Sequence, residues 1–381
     1  MRDRMKVDFN KIFFTGEEKA NIADAMDGRP LCGGGKWTAE CEKMLRGITG
    51  AKHALLTTSG TSGLDVAAFV LDIKDGDEVI VPTYTFVASI NSFVSRGAKP
   101  VFCDVNAETL NLDETKLEAL ITPRTKVIVP VHYAGVACNM DAIMQIAARH
   151  NIAVVEDAAQ GIGATYKGVP LGTIGVMGML SFHSSKNIIA GEGGALLTND
   201  DALARRANYI REKGTNRIDF VDGIVDKYTW VDYGGNFVPP ELSAAFLAAQ
   251  LKEVDSVTRL RRAAWRRYAD ALAPLEKSGR LNLCKIPEYA QANGHIFYVY
   301  TDSIEQTDAL KKHLSAAGIG ANSHFAPLHL SPMAKRLCGE VPSLPVAEKT
   351  ARTMLRLPMF AEITPEQQQY VCAKLFEFFG E

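Results

Sequence analysis

One pattern governs the first half of the chain. From residue 54 to residue 198, short and nearly continuous apolar runs alternate with stretches of helical spacing. The runs include Ala54-Leu55-Leu56-Thr57, Glu78-Val79-Ile80-Val81-Pro82, Pro100-Val101-Phe102-Cys103-Asp104 and Lys126-Val127-Ile128-Val129-Pro130-Val131-His132, followed by residues 152–157, 177–180 and 193–198. A strand with apolar residues on both faces must be covered on both faces. With helices expected over 64–71, 87–96 and 140–150, this reads as a mostly parallel sheet sandwiched by helices. In such sheets ligands collect at the carboxyl ends of the strands.

The rest of the chain changes rhythm. Helical spacing over 37–48, with Thr38 as its cap, precedes the first strand, and a helix is expected over 203–211. A long irregular stretch follows, then helices over 241–254 and 257–272. Beyond Pro274 the pattern is a strand at 296–300, a helix at 307–317, a strand at 321–325 and a helix at 365–379. The expected fold class is therefore α/β. An N-terminal arm and a large domain with a mostly parallel mixed sheet occupy residues 1–255, and a smaller C-terminal α+β domain occupies residues 256–381.

Charge and composition exclude several classes. A formal net charge of −2 gives no electrostatic case for nucleic acid, and Arg259, Arg261, Arg262, Arg266 and Arg267 are expected to form a solvated helix face. No apolar run is long enough to cross a bilayer. Residues 1–6 carry no apolar signal core, so a cytoplasmic location is expected, with Met5 an alternative start. The seven cysteines are scattered, without metal-ligand spacing, and are expected as free thiols. The glycine-rich 33–35 loop lacks the upstream strand that a dinucleotide fingerprint requires.

Three elements carry chemistry. Between Lys167 and Glu192 the only formally charged side chain is Lys186; a lone amine among small and apolar neighbours suits a desolvated nucleophile that forms an imine. Asp157 ends an apolar strand, where a carboxylate can pair with a protonated ring nitrogen. The turn Ser59-Gly60-Thr61-Ser62 opens a helix, and helix N-termini bind phosphate. Together these are the needs of pyridoxal 5′-phosphate (PLP).

The chain resembles the DegT/DnrJ/StrS sugar-nucleotide aminotransferases, which have the fold type I, aspartate aminotransferase-like architecture. The markers are Thr58-Ser59-Gly60-Thr61-Ser62, Pro82-Thr83-Tyr84-Thr85-Phe86, Glu156-Asp157-Ala158-Ala159-Gln160, Ser181-Phe182-His183 through Lys186-Asn187, Gly191-Glu192-Gly193-Gly194 and Pro327-Leu328-His329. The resemblance implies that Lys186 is the Schiff-base lysine and proton shuttle, that Asp157 pairs with the pyridine nitrogen, that Gln160 lies beside the ring and that Phe86 stacks on it. It further implies that Gly60, Thr61 and Ser181 hold the phosphate. Asn236 would reach the phosphate of a neighbouring subunit in a homodimer, and His324 and His329 would lie on the sugar-nucleotide side. The implied partners are L-glutamate as donor and a nucleotide-linked 4-keto-6-deoxyhexose, dTDP-linked, as acceptor.

Three alternatives stay open: amination of a 3-keto sugar, a PLP-dependent sugar dehydratase, or a non-enzymatic regulator on the same fold. Dehydratase members replace the lysine by histidine, so Lys186 argues against the second; Lys186 and Asp157 together argue against the third. Gly234-Gly235-Asn236-Phe237-Val238-Pro239-Pro240 departs from the family pattern, lacking the arginine that many members place two residues after the asparagine.

Overall fold

The computed structural model describes residues 5–28 and 30–380; residues 1–4 of the N-terminal reading lie outside these. A seven-stranded sheet runs in the order His53–Thr57, Gly194–Thr198, Met177–Ser181, Ala153–Asp157, Thr125–Ile128, Glu78–Pro82, Lys99–Cys103. Only Gly194–Thr198 runs against its neighbours; the other pairings are parallel. The apolar runs therefore became the strands, for the reason their composition suggested. Alternate residues split between two cores. Leu56, Ile80, Val154 and Leu180 pack beneath the helices Lys36–Thr49, Met140–His150 and Glu241–Leu251. Leu55, Val79, Val155 and Met179 pack beneath Gly60–Val70, Ala88–Val94 and Asp201–Arg211.

The Lys36–Thr49 helix is capped from far away in sequence. Its N-cap is Gly35, which has no capping side chain. The carboxylate of Glu241, buried at the start of another helix, accepts from the backbone N–H groups of Gly35 (3.1 Å), Trp37 (2.7 Å) and Thr38 (3.1 Å). The expected cap, Thr38, instead donates its hydroxyl to Glu241. One carboxylate thus satisfies N–H groups that a helix start leaves open.

A third core is built mainly from residues 264–375 around a three-stranded antiparallel sheet of Asn282–Leu283, Tyr298–Tyr300 and Met354–Arg356. The long helix Val254–Lys277 leads into it. Ala290–Gln291 pairs with Thr165–Tyr166 of the first half, so the chain after residue 256 also contributes to the large unit.

Two sequence expectations fail here. Residues 321–325 form no strand; only Asn322 makes an isolated bridge, to Arg356, because this segment wraps the site rather than extending the sheet. Nor is the arginine face uniformly solvated. Arg261 is buried, with Nε donating to the Gly294 carbonyl at 3.2 Å and Nη2 to those of His295 (2.8 Å) and Met359 (3.2 Å). Arg262 reaches the carbonyls of Ala292 and Gly163. Helical period alone cannot distinguish a cation bathed in water from one that ties loops together by their carbonyls.

Candidate active site

A cavity of about 520 Å³ opens at the carboxyl ends of the central strands. Its floor is Asp157, the last residue of Ala153–Asp157. Ser89 Oγ donates to Asp157 Oδ2 at 2.6 Å, and the Ala159 N–H donates to Oδ1 at 3.0 Å. These donors fix a carboxylate that is otherwise buried, as such a charge requires.

Ser59 caps the helix Gly60–Val70 by accepting from Ser62 N–H at 3.0 Å, and its carbonyl takes the Gly63 N–H. The Gly60 and Thr61 N–H groups are left at the positive end of the helix, on the cavity wall. Glycine is required there. A Cβ on Gly60 would lie 2.7 Å from Met179 Sδ and 3.0 Å from Ser181 Cβ, and one on Gly194 would lie 2.4 Å from the Ser59 carbonyl. The close approach brings Ser181, the end of the next strand, to the same wall.

Lys186 lies in the loop between Met177–Ser181 and Gly194–Thr198, its N–H bonded to the His183 carbonyl at 2.9 Å. The side chain is only half-buried by surface, because the cavity opens onto it, yet protein surrounds the amine closely. Burial holds its pKa below the ordinary lysine value; Asp157 opposes this and Arg356 reinforces it. A lysine in that setting carries a larger fraction of nucleophilic free base than one in water.

Gln160 also lines the cavity. Its Oε1 accepts from Ala134 N–H at 2.7 Å, which leaves the amide nitrogen as the group it can offer. Phe86 is 60% exposed, towards the cavity it lines, and its ring centroid is 6.3 Å from that of Phe325. His324 lines the cavity as well, stacked on Phe325 at 3.9 Å, with the Tyr133 hydroxyl 3.0 Å from its Nδ1. Burial, with Arg356 and Lys186 nearby, pushes the His324 pKa down to about 2. It is a neutral ring at any working pH.

Two further residues lie outside this cavity. His329 is buried outside the cavity: its Nδ1 is 2.7 Å from the Thr83 hydroxyl and its Nε2 3.3 Å from Glu348. With both ring nitrogens engaged, it braces the loop after Glu78–Pro82 and has nothing left for substrate. Asn236 sits on an exposed loop, bridged to Glu212, outside the cavity of its own chain.

Sequence reading missed Ser89, His295, Arg356 and Phe9. His295 lines the cavity, and its Nδ1 is 2.7 Å from the amide oxygen of Asn187, next to Lys186. Burial pushes its pKa well down, with the Lys186 and Arg261 charges adding to the effect. No local motif announces such residues, because they come from distant segments. A serine three residues after Phe86 was the one available signal.

PLP fits this set. A desolvated amine, a strand-end carboxylate with fixed donors, and a glycine-lined helix start face one cavity, which is the donor chemistry an aldehyde, a pyridine nitrogen and a phosphate require. These features define a PLP-dependent enzyme of fold type I.

The chain belongs to the DegT/DnrJ/EryC1/StrS aminotransferase family, whose pattern matches residues 14–376. It is 38% identical over 369 residues to GDP-perosamine synthase of Caulobacter vibrioides, covering 94% of this chain and 95% of that one. It is 33% identical over 372 residues to UDP-4-amino-4-deoxy-L-arabinose–oxoglutarate aminotransferase of Shewanella sediminis, with 94% of each covered. The sugar aminotransferase fold of Spr1654 from Streptococcus pneumoniae, solved in its PLP form, superposes with a TM-score of 0.89 at 26% identity over 99% of both chains. The protein is thus a PLP-dependent sugar aminotransferase.

Proposed function

We propose that the enzyme moves the amino group of L-glutamate to C4 of a nucleotide-linked 4-keto-6-deoxyhexose, converting dTDP-4-keto-6-deoxyglucose into dTDP-4-amino-4,6-dideoxygalactose. The observation that carries the reading is the half-buried Lys186 of lowered pKa, sharing one cavity with Asp157 and the Gly60 and Thr61 N–H groups. The sugar assignment draws on the resemblance of residues 131–138, 211–217 and 225–230 to dTDP-4-amino-4,6-dideoxygalactose transaminases.

Bound in this cavity, PLP supplies the electron sink that makes the donor's α-proton removable. Asp157, oriented by the hydrogen bonds from Ser89 and Ala159, would pair with the ring nitrogen. Gly60, Thr61 and Ser181 would hold the phosphate, and Phe86 and Gln160 would flank the ring. Lys186 Nζ takes the proton from the glutamate α-carbon and, in the second half of the cycle, delivers one to sugar C4. His324, neutral and propped by Tyr133, offers a hydrogen bond to the sugar.

Asn236 serves the partner's site in a homodimer. Its exposed position outside its own cavity fits that role, as does the neighbouring run of exposed Phe220, Tyr228, Trp230 and Tyr233.

The test is the reaction of pure protein with L-glutamate and dTDP-4-keto-6-deoxyglucose, with the product read by mass spectrometry and NMR. Nitrogen at C4 in the galacto configuration supports the reading; nitrogen at C3 overturns it. A GDP-linked acceptor is the second reading, favoured by the 38% identity to GDP-perosamine synthase, and competition between dTDP- and GDP-linked 4-keto sugars separates the two.

A further inference from the structure

Two arginines of the helix Val254–Lys277 take no part in holding the fold. Arg261 and Arg262 tie loop carbonyls, and Arg267 donates to the Gln368 side chain at 2.6 Å. Arg259 and Arg266 make no hydrogen bond or ion pair with any described residue. With Arg262 they follow the spacing i, i+3, i+7, which sets all three side chains on one face of the helix. That face lines a second cavity of about 510 Å³, which shares no lining residue with the cofactor cavity.

The walls of this cavity are preformed. Arg262 is fixed by the Ala292 and Gly163 carbonyls, at 2.7 and 2.9 Å, with Nη1 left over. Buried Asn293 donates to the Gln160 and Ile162 carbonyls at 2.7 and 2.8 Å, which holds the loop that carries Gly163. Gly163 has a φ of +75°, and a Cβ there would lie 2.5 Å from Thr258 Oγ1, so loop and helix meet closely. The same loop begins at Gln160 on the wall of the cofactor cavity.

Three features limit what can bind. Asp255 is the one carboxylate on the lining, against three guanidinium groups. Burial and the charge of Arg266 lower the pKa of Arg262, with Asp255 opposing them, so positive charge is crowded there. Buried Ile162, Leu171 and Val254 form an apolar side, and Thr165, also on the lining, has a buried hydroxyl without a partner. Beyond Arg262 and Arg266 lies a hollow of about 160 Å³ that shares these two arginines and is lined by Trp265.

We propose that this cavity binds a nucleoside diphosphate, with the diphosphate on Arg259, Arg262 and Arg266 and the base beside Trp265. Guanidinium forks match phosphate oxygens and keep their charge at any working pH. A single carboxylate would leave most of these donors unmet, whereas two linked phosphates present charge to all three side chains. Free pyrophosphate would engage the arginines and leave the apolar side and the indole unfilled. The volume falls in the range of roughly 300–1,000 Å³ that small-molecule sites occupy, and planar bases stack on aromatic rings. The site takes no part in amination, so it holds for whichever nucleotide carries the sugar.

The experiment counts dTDP bound per chain by equilibrium dialysis of the PLP-loaded enzyme. Wild type is compared with Arg259→Met/Arg266→Met and Arg259→Lys/Arg266→Lys. A nucleotide can also enter the cofactor cavity, so the difference between proteins is the readout. The methionine variant is expected to bind one equivalent fewer than wild type. Its kcat and KM for sugar amination should stay within twofold, which also checks its folding. The lysine variant, which keeps the charge without the forks, is expected to retain that equivalent with affinity weakened roughly tenfold. Pyrophosphate, tested by displacing the same equivalent, should be at least about tenfold weaker than dTDP, because it cannot reach Trp265.

Equal dTDP counts in wild type and the methionine variant overturn the proposal. So does pyrophosphate as tight as dTDP, which would make the cavity a site for an inorganic anion. A raised KM for the sugar nucleotide in the methionine variant would assign the arginines to the substrate's own path, and the second site falls.

Discussion

Ser89 donates its hydroxyl to Asp157 at 2.6 Å, and Thr85 stands 2.8 Å behind Ser89. The chain of hydroxyls runs from the segment that presents Phe86 to the Asp157 carboxylate, so one loop positions both on the cavity wall. Ser89→Ala removes a hydrogen bond to an ion, worth about 1.5–3 kcal/mol. The expected outcome is PLP affinity weakened by roughly tenfold to a hundredfold in a fluorescence titration. Asp157→Asn should cost more. Wild-type affinity in Ser89→Ala would reduce the hydroxyl to packing.

Lys186 gives the apoprotein a pH signature. Its folded pKa lies below the 10.5 of an ordinary lysine. Between those two values the unfolded chain holds the extra proton, so stability rises with pH. Below that window the folded protein bears the full cost of a crowded charge. Lys186→Met should therefore melt higher than wild type at neutral pH, with the gap closing as pH climbs towards 10.5. A constant gap across that range contradicts the desolvated amine. The same variant should lose transamination by at least about 10⁴-fold.

Glu241 is expected to matter for folding rather than for chemistry. Its carboxylate satisfies three backbone N–H groups and the Thr38 hydroxyl. Glu241→Ala leaves them without that partner, at a cost of about 3 kcal/mol, measured from the midpoint of urea unfolding. Replacing Asp24, an exposed partner of Lys36, should shift the midpoint by far less.

The proposed sharing of Asn236 between two chains can be tested by complementation. Lys186→Ala and Asn236→Ala homodimers should each be impaired. Hybrids formed by mixing and reassociation should regain activity, because one of their two sites pairs an intact lysine with the partner's intact asparagine. If mixing restores nothing, each site is complete within one chain.

Much of this was legible in the sequence where physics acts locally. Apolar runs had to become buried strands, and glycines beside hydroxyl residues marked the helix start at Gly60. Lys186 stood out because no other charge surrounds it. What escaped was assembled at long range. Arg356 and His295 belong to the second half of the chain, and Phe9 to the arm; only the fold brings them to Lys186. His329 sits in a family motif, yet Thr83 and Glu348 occupy its ring. Arg261 kept helical period with its neighbours but turned inward, because loop carbonyls offered it partners that the sequence pattern does not display.

The most direct measurement follows the nitrogen. Protein loaded with PLP is given ¹⁵N-labelled L-glutamate and dTDP-4-keto-6-deoxyglucose, and the product is read by NMR. The account expects ¹⁵N bonded to C4 of a dTDP-linked 4,6-dideoxygalactose, with 2-oxoglutarate formed in equal amount. Label at C3, or glutamate consumed while the sugar nucleotide stays unlabelled, would contradict it.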